Sequence, residues 1–273
     1  MFCQPILLSL HTIKYIAMKK YQLDLKVVDN VMVGKSASLL TLTHSEPLPP
    51  MQAGQFAELL VDKAQVLLRR PISIHNVNRN NNTVEFLIQI VGTGTKELAN
   101  LKKGDSLNVL LPLGNGFDFA GSVNPLLIGG GVGVAPLLYL GEEFKSKGIT
   151  PTFLFGGRSK EYLLRLESFE AVGRVYATTE DGSFGEKGYV TNHSLLIDGD
   201  KFDKIFACGP TPMLKAVAAW AKEHETACEV SLEHKMACGI GACLCCVEDT
   251  KDGHVCVCKE GPVFSIDKLL WKL

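Results

Sequence analysis

The sequence predicts a multidomain α+β protein: an antiparallel β-barrel first, an α/β domain on a parallel sheet second, and a small cysteine-rich region last. Three observations carry that reading. Short β-like runs separated by turn residues fill Tyr21 to about Leu111. Strand-like and helix-like segments then alternate from Pro125 onward. Seven of the nine cysteines crowd between Cys228 and Cys258. A chain of 273 residues is long for a single core and sufficient for two ordinary domains with an appendage. The expected divisions are an extension at 1–17, a barrel at 18–120, an α/β domain at 121–227 and the cysteine region at 228–273.

The barrel strands are expected at Tyr21–Val28, Ala37–Thr43, Gln55–Val61, Ile72–Asn78, Thr83–Val91 and Ser106–Leu111. Turn-rich pieces such as Glu46–Pro50 and Arg79–Asn82 bound them, and Thr95–Leu101 adds one short helix. After Pro112–Gly121, Pro125–Ile128 reads as a strand entering a glycine loop and Val134–Lys147 as its helix. Pro151–Phe155 is the next strand and Tyr162–Phe169 the next helix. Val175–Thr179, Tyr189–Leu196, Lys204–Ala207 and Thr211–Glu223 continue the alternation. Repeated β–α units imply a mostly parallel sheet covered on both faces.

Formal net charge is −1, so bulk electrostatics steer the chain towards neither nucleic acid nor an anionic membrane. Met1–Ala17 has an apolar run but no basic n-region or small-residue cleavage site, and it reads as a dispensable extension or a mis-assigned start before Met18. No segment reaches transmembrane length. A secreted disulfide scaffold spreads its cysteines to close loops. Their local crowding here indicates a metal site in a reducing compartment, which points to the cytoplasm.

Cys238-x4-Cys243-x2-Cys246, with Cys258 after eleven intervening residues, is the strongest chemical signal. Thiolates in a C-x4-C-x2-C…C order can converge on two sulfide-bridged irons, and Gly239 and Gly241 let the loop wrap closely with N–H groups towards sulfur. Structural zinc also takes four thiolates, but in paired knuckles, of which one is evident here. On spacing alone Cys245 can replace Cys246, and Cys256 can replace Cys258.

Four further patterns mark nucleotide sites. Arg69-Arg70-Pro71-Ile72-Ser73 opens a barrel strand, where an arginine can hold a flavin diphosphate and a serine can reach the isoalloxazine edge. Alone it also reads as a surface turn. Gly92-Thr93-Gly94-Thr95 leads into a helix whose free N–H groups form an anion site, or else an ordinary cap using Thr93 or Thr95. Gly129-Gly130-Gly131-Val132-Gly133-Val134-Ala135-Pro136 joins a buried strand to a helix, where α/β sheets bind diphosphates, although it is not a strict G-x-G-x-x-G. Cys208-Gly209-Pro210 ends a later strand and should lie along the same carboxyl edge, holding nicotinamide. A buried structural cysteine is the alternative for Cys208.

Taken in order, Arg70–Ser73, Gly94-Thr95, the Gly129–Pro136 loop and Cys208-Gly209-Pro210 resemble the ferredoxin–NADP reductase superfamily, an FAD-binding barrel followed by a pyridine-nucleotide domain. The run Glu233–Val247, with Cys258-Lys259-Glu260-Gly261-Pro262-Val263-Phe264, resembles the electron-transfer subunits of type B dihydroorotate dehydrogenases. The resemblance covers Met18 to the C-terminus. It implies FAD contacts at Arg70, Pro71, Ile72 and Ser73, at Leu87, Ile88 and Gln89, and at Gly94 and Thr95. It implies cluster ligands Cys238, Cys243, Cys246 and Cys258, and NAD at Gly130, Gly131, Gly133, Cys208, Gly209 and Pro210. Ile72 stands where many reductases of the superfamily carry a tyrosine against the flavin. The implied function is electron transfer from an FMN-containing catalytic subunit, in a heterotetramer of two of each chain, through a [2Fe–2S] cluster and FAD to NAD+ in pyrimidine biosynthesis. An NADPH:ferredoxin or sulfide-linked reductase subunit is the alternative, with Arg158 meeting a 2′-phosphate. A zinc-stabilised regulatory module that binds nucleotide without catalysis is a third.

Overall fold

The computed structural model describes residues 19–62, 66–197 and 201–273; the expected extension at 1–17 lies outside them. The first sheet contains β1 (Tyr21–Val33), β2 (Ala37–Thr43), β3 (Phe56–Leu59), β4 (Arg70–Ser73), β5 (Asn76–Asn78), β6 (Thr83–Gln89) and β7 (Ser106–Leu113). Every pairing is antiparallel, in the order β4-β3-β7-β1-β2-β6-β5, and helix α1 (Thr93–Asn100) lies between β6 and β7. Alternation produces this form: in β1, buried Leu25 and Val27 are separated by exposed Lys26, so one face enters the core with Leu40, Leu59, Phe86 and Val109. The expected single strand Ile72–Asn78 is two strands. At Ile74 the backbone N–H still donates to Gln55 O on the β3 side, and at His75 it donates to Glu85 O in β6. The chain changes partner there and turns a corner.

The second sheet has the order β11-β10-β9-β8-β12-β13-β16. Its parallel strands are β8 (Pro125–Gly130), β9 (Thr152–Gly157), β10 (Arg174–Thr179), β11 (Glu186–Lys187), β12 (Lys204–Cys208) and β13 (Ala227–Ser231); β16 (Val263–Ser265) pairs antiparallel at the edge. β8 is buried at every residue, as a parallel strand covered on both faces must be. Helices α2 (Leu137–Ser146), α3 (Leu166–Glu170), α4 (Ser194–Ile197) and α5 (Thr211–Glu223) complete it.

Three helix boundaries differ from expectation. Gly131–Val134 forms a 3₁₀ turn, so α2 starts only after Pro136. Arg165, with φ +61°, interrupts the segment expected as Tyr162–Phe169 and leaves only Leu166–Glu170 as helix. Tyr189–Leu196 is a 3₁₀ turn at Val190–Asn192 followed by α4.

The cysteine region sits between β13 and β16, with the hairpin β14 (Val247–Thr250) and β15 (Gly253–Cys256) and the single turn α6 (Val257–Glu260). A division at 228 therefore falls inside β13. Asn115, just after β7, ties the region to the barrel: its N–H donates to Gly261 O (2.6 Å) and its amide to Glu260 O (3.0 Å). Among the described residues no helix is long and apolar enough to cross a membrane.

His75 joins the barrel to the second sheet. Its ring Nδ1 lies 2.7 Å from Ala135 O, which only an Nδ1–H can satisfy, and Tyr139 N donates to His75 O (3.1 Å). Complete burial pushes the imidazole down to about 4, partly offset by the Ala135 carbonyl and reinforced by Arg165. Below about pH 6.5 the unfolded chain binds a proton here that the folded one refuses until about pH 4. Stability therefore falls with pH through that window, by on the order of 3 kcal/mol at its lower end. The difference in thermal stability between the wild type and His75→Asn, followed from pH 7 to pH 4.5, should carry this slope.

Candidate electron-transfer site

The two arginines that open β4 have different fates. Arg69 turns into the sheet, donating to Glu58 O (3.2 Å), Asn108 O (3.3 Å) and Asn108 Oδ1 (2.6 Å). Arg70 lies over the start of α1. A Cβ on Gly94 would collide with Arg70 Nε and lie 3.1 Å from Cζ, so glycine is what lets the guanidinium rest on the helix. The first N–H groups of a helix have no partner within it, and together with a guanidinium they form a cradle for a diphosphate. The Thr95 hydroxyl turns back instead, accepting from Val91 N (3.0 Å) and Gly92 N (3.1 Å), so it ties down the chain entering α1, whose N-cap Gly92 offers no side-chain cap. Ile72 and Ser73 are half-buried on β4, while Leu87 and Ile88 are buried at the end of β6 with Gln89 after them.

The glycine loop and the Cys208 loop meet as expected at the carboxyl ends of β8 and β12. A Cβ on Gly133 would collide with the Cys208 carbonyl oxygen and lie 2.5 Å from Gly209 Cα; one on Gly130 would lie 2.6 Å from Met213 Sδ and 3.0 Å from Pro210 Cδ. Gly131, by contrast, faces open space at φ +56°. Strand order reverses at β8, so this is the crevice where open α/β sheets take ligands. Burial, and then the Glu233 carboxylate, push the Cys208 thiol up, and burial raises Glu233 as well. Sequence reasoning assigned Glu233 no role, because its closeness to Cys208 arises only from β13 lying beside β12.

In the cysteine loop, Gly241 N donates to Cys258 Sγ (3.1 Å), Ala242 N to Cys238 Sγ (3.3 Å) and Cys258 N to Cys246 Sγ (3.4 Å). The thiols fall into two pairs of close neighbours, Cys238 with Cys243 and Cys246 with Cys258. Among the described residues no three His, Cys, Asp or Glu side chains converge on one metal position. Two pairs side by side suit two irons that each take two thiolates. Burial works against the Cys238 thiolate, but the N–H groups of Ile240, Cys243 and Ala242 outweigh it and bring the group down to about 6. Burial and the neighbouring Cys246 push Cys258 up to about 12. Leu244, in the left-handed region at φ +58°, separates the two pairs. Cys245 is exposed, and Cys256 points its thiol at Gly241 O (3.9 Å). The geometry thus favours Cys246 over Cys245 and Cys258 over Cys256.

Glu58 is a second residue that sequence reasoning missed. It is a carboxyl in the wholly buried strand β3, raised to about 7 by burial against the pull of Arg69. An acidic residue inside an apolar run was the available signal.

A family model for the iron–sulfur cluster binding domain of dihydroorotate dehydrogenase B matches residues 233–270, and one for an oxidoreductase NAD-binding domain matches 127–219. The dihydroorotate dehydrogenase B (NAD(+)) electron transfer subunit of Fusobacterium nucleatum subsp. nucleatum is 38% identical over 250 residues, covering 88% of this chain and 95% of its own. The chain belongs to that family. The subunit of the same name from Lysinibacillus sphaericus is 39% identical over 251 residues, with 89% and 96% covered. Among solved structures, this electron transfer subunit is similar to a chain of the NADH-dependent reduced ferredoxin-NADP oxidoreductase, with a TM-score of 0.81, 30% identity and 90% of each chain covered. The ferredoxin reductase of carbazole 1,9a-dioxygenase shares the fold at 20% identity, with a TM-score of 0.66 over 77% of this chain and 68% of its own. The barrel, nucleotide sheet and cysteine region are thus those of a ferredoxin–NADP reductase-like electron transfer subunit, an NAD-linked oxidoreductase component that works with a catalytic partner.

Proposed function

We propose that this subunit carries electrons from an FMN-containing dihydroorotate dehydrogenase catalytic subunit to NAD+, in the de novo synthesis of pyrimidines in the cytoplasm, within a heterotetramer of two chains of each kind. Cys238, Cys243, Cys246 and Cys258 hold a [2Fe–2S] cluster. Arg70–Ser73, Leu87–Gln89, Gly94 and Thr95 hold FAD, with the Thr95 contribution made through its backbone. Gly130, Gly131, Gly133 and Cys208–Pro210 receive NAD. The roles follow the chain as 18–120 for FAD, 121–227 for NAD and 228–273 for the cluster, the last part lending β16 and most of β13 to the nucleotide sheet.

The bound groups supply one-electron exchange at the cluster and conversion between single electrons and hydride at the flavin. Dihydroorotate loses two electrons and two protons to become orotate. NAD+ takes both electrons and one proton as hydride, and the other proton goes to solvent. The chain's own residues bind and orient: Arg70 and α1 anchor the diphosphate, Cys208 and the glycine loop shape the nicotinamide place, and the thiol pairs fix the cluster. The observation that carries the reading is the pair of thiol pairs on a loop packed against the barrel at β3 and β7. Ile240 and Leu244 stand 44% and 66% exposed around Cys243, an apolar rim where the partner can approach the cluster.

Arg158, the residue open to a 2′-phosphate, lies beside an acidic segment: Asp181 N donates to Arg158 O (3.2 Å) and Glu180 N to Gly157 O (3.0 Å). Comparing NADH with NADPH turnover separates the two nucleotides. Co-purification with an untagged FMN-containing catalytic subunit, with iron, sulfide and flavin analysis, tests the proposal. An isolate holding neither iron nor acid-labile sulfide defeats it. Gly94→Ala should displace Arg70 and weaken FAD about tenfold or more, the loss of roughly one charge-assisted hydrogen bond, as measured by flavin retention on dilution.

A further inference from the structure

Glu58 is 0% exposed, and neither carboxyl oxygen has a hydrogen-bond partner in the chain. Desolvating a carboxyl with nothing to bond it is costly, so its place calls for a reason. In the β3–β4 pairing Glu58 stands opposite Pro71, and Phe56 opposite Ser73, which sets Glu58 on the same sheet face as Ser73. The cysteine loop covers that face. A Cβ on Gly239 would lie 2.8 Å from Glu58 Cγ, 3.2 Å from its Oε1 and 3.0 Å from Leu113 Cδ1, and Gly239 has φ +66°. The nearby charges are Arg69, Cys238 and Arg70. Arg69 spends its donors on the Glu58 backbone carbonyl and on Asn108, so it lends the carboxyl a field and no bond. The side chain therefore lies between Gly239, the residue after Cys238, and the barrel sheet, beside Leu113 of β7.

We propose that Glu58 is a positioning residue for electron transfer, its side chain seating the cysteine loop on the barrel sheet and its charge setting the reduction potential of the cluster at Cys238. This rests on the cluster and flavin assignments above. A negative charge in a low-dielectric contact beside the cluster opposes the arrival of an electron, so it holds the potential down. One electron passes in each transfer, and Glu58 forms and breaks no bond.

The test is a redox titration of the full-length FAD- and cluster-loaded chain at pH 8, followed by electron paramagnetic resonance. It compares wild type, Glu58→Gln and Glu58→Asp. The near-isosteric Gln should raise the cluster potential and shift the resonance pattern with iron and flavin content unchanged, whereas Asp, which keeps the charge, should stay close to wild type. A Gln variant with wild-type potential and spectrum overturns the proposal. So does an Asp variant that shifts as far as Gln, or loss of the cluster from both, since each indicates packing alone. Wild-type protein lacking iron or flavin would instead defeat the underlying assignment.

Discussion

Cys246→Ser should strip the chain of iron and acid-labile sulfide, while Cys245→Ser should leave both in place. The two residues are neighbours, and spacing alone does not separate them. Cys246 is buried and pairs with buried Cys258, and the Cys258 N–H points at its sulfur. Cys245 is exposed. A serine hydroxyl is a harder ligand than thiolate and far more reluctant to lose its proton, so the iron with Cys258 loses half its protein ligands. Visible absorption from the cluster and turnover with the dihydroorotate-oxidising partner should both disappear. NADH oxidation by an artificial acceptor should persist as long as FAD remains. Loss of the cluster from Cys245→Ser instead would show that the ligand set is wrong by one residue.

Gly133→Ala should damage NAD use while sparing FAD and the cluster. The added methyl meets backbone on every near side, the Cys208 carbonyl and Gly209 Cα, and backbone anchored in β12 has little room to give. Overpacking of this kind costs about 1–3 kcal/mol. Expressed in binding, that is about a five- to 150-fold rise in the NADH KM. Gly131→Ala is the informative comparison. Its Cβ meets nothing within 4 Å, so only the left-handed backbone penalty applies, about 1 kcal/mol. Steady-state NADH oxidation with an artificial acceptor reads both variants. A wild-type KM in Gly133→Ala would mean that contact between the two loops does not shape the nucleotide place.

Much of the architecture was legible because it is written in local periodicity. Alternation in Tyr21–Val28 marked a half-buried antiparallel strand, and the continuous apolar run at Pro125–Ile128 marked a strand covered on both faces. The misplaced boundaries share a cause. Period-2 patterning continues through Ile74 and His75 while the backbone changes partner from Gln55 to Glu85, and no residue type announces that exchange. At Arg165 a left-handed backbone ends a segment that propensity alone would extend. Cys228 was grouped with the metal cysteines by proximity in sequence, yet it sits buried in β13 of the nucleotide sheet.

By itself the sequence determined the order of the parts and the chemistry each can hold. Thiol spacing, an arginine before a strand proline and glycines at the start of a helix are short-range features, and short-range geometry follows directly from them. Tertiary structure alone decided which arginine lies over α1, which thiols pair, that His75 latches the two sheets together, and that Glu58 lies against Gly239. The physical reason is that patterning specifies which face of an element leaves water but not what covers it. Positions 58 and 239 come together only when the barrel, the nucleotide sheet and the cysteine loop bury their surfaces at once.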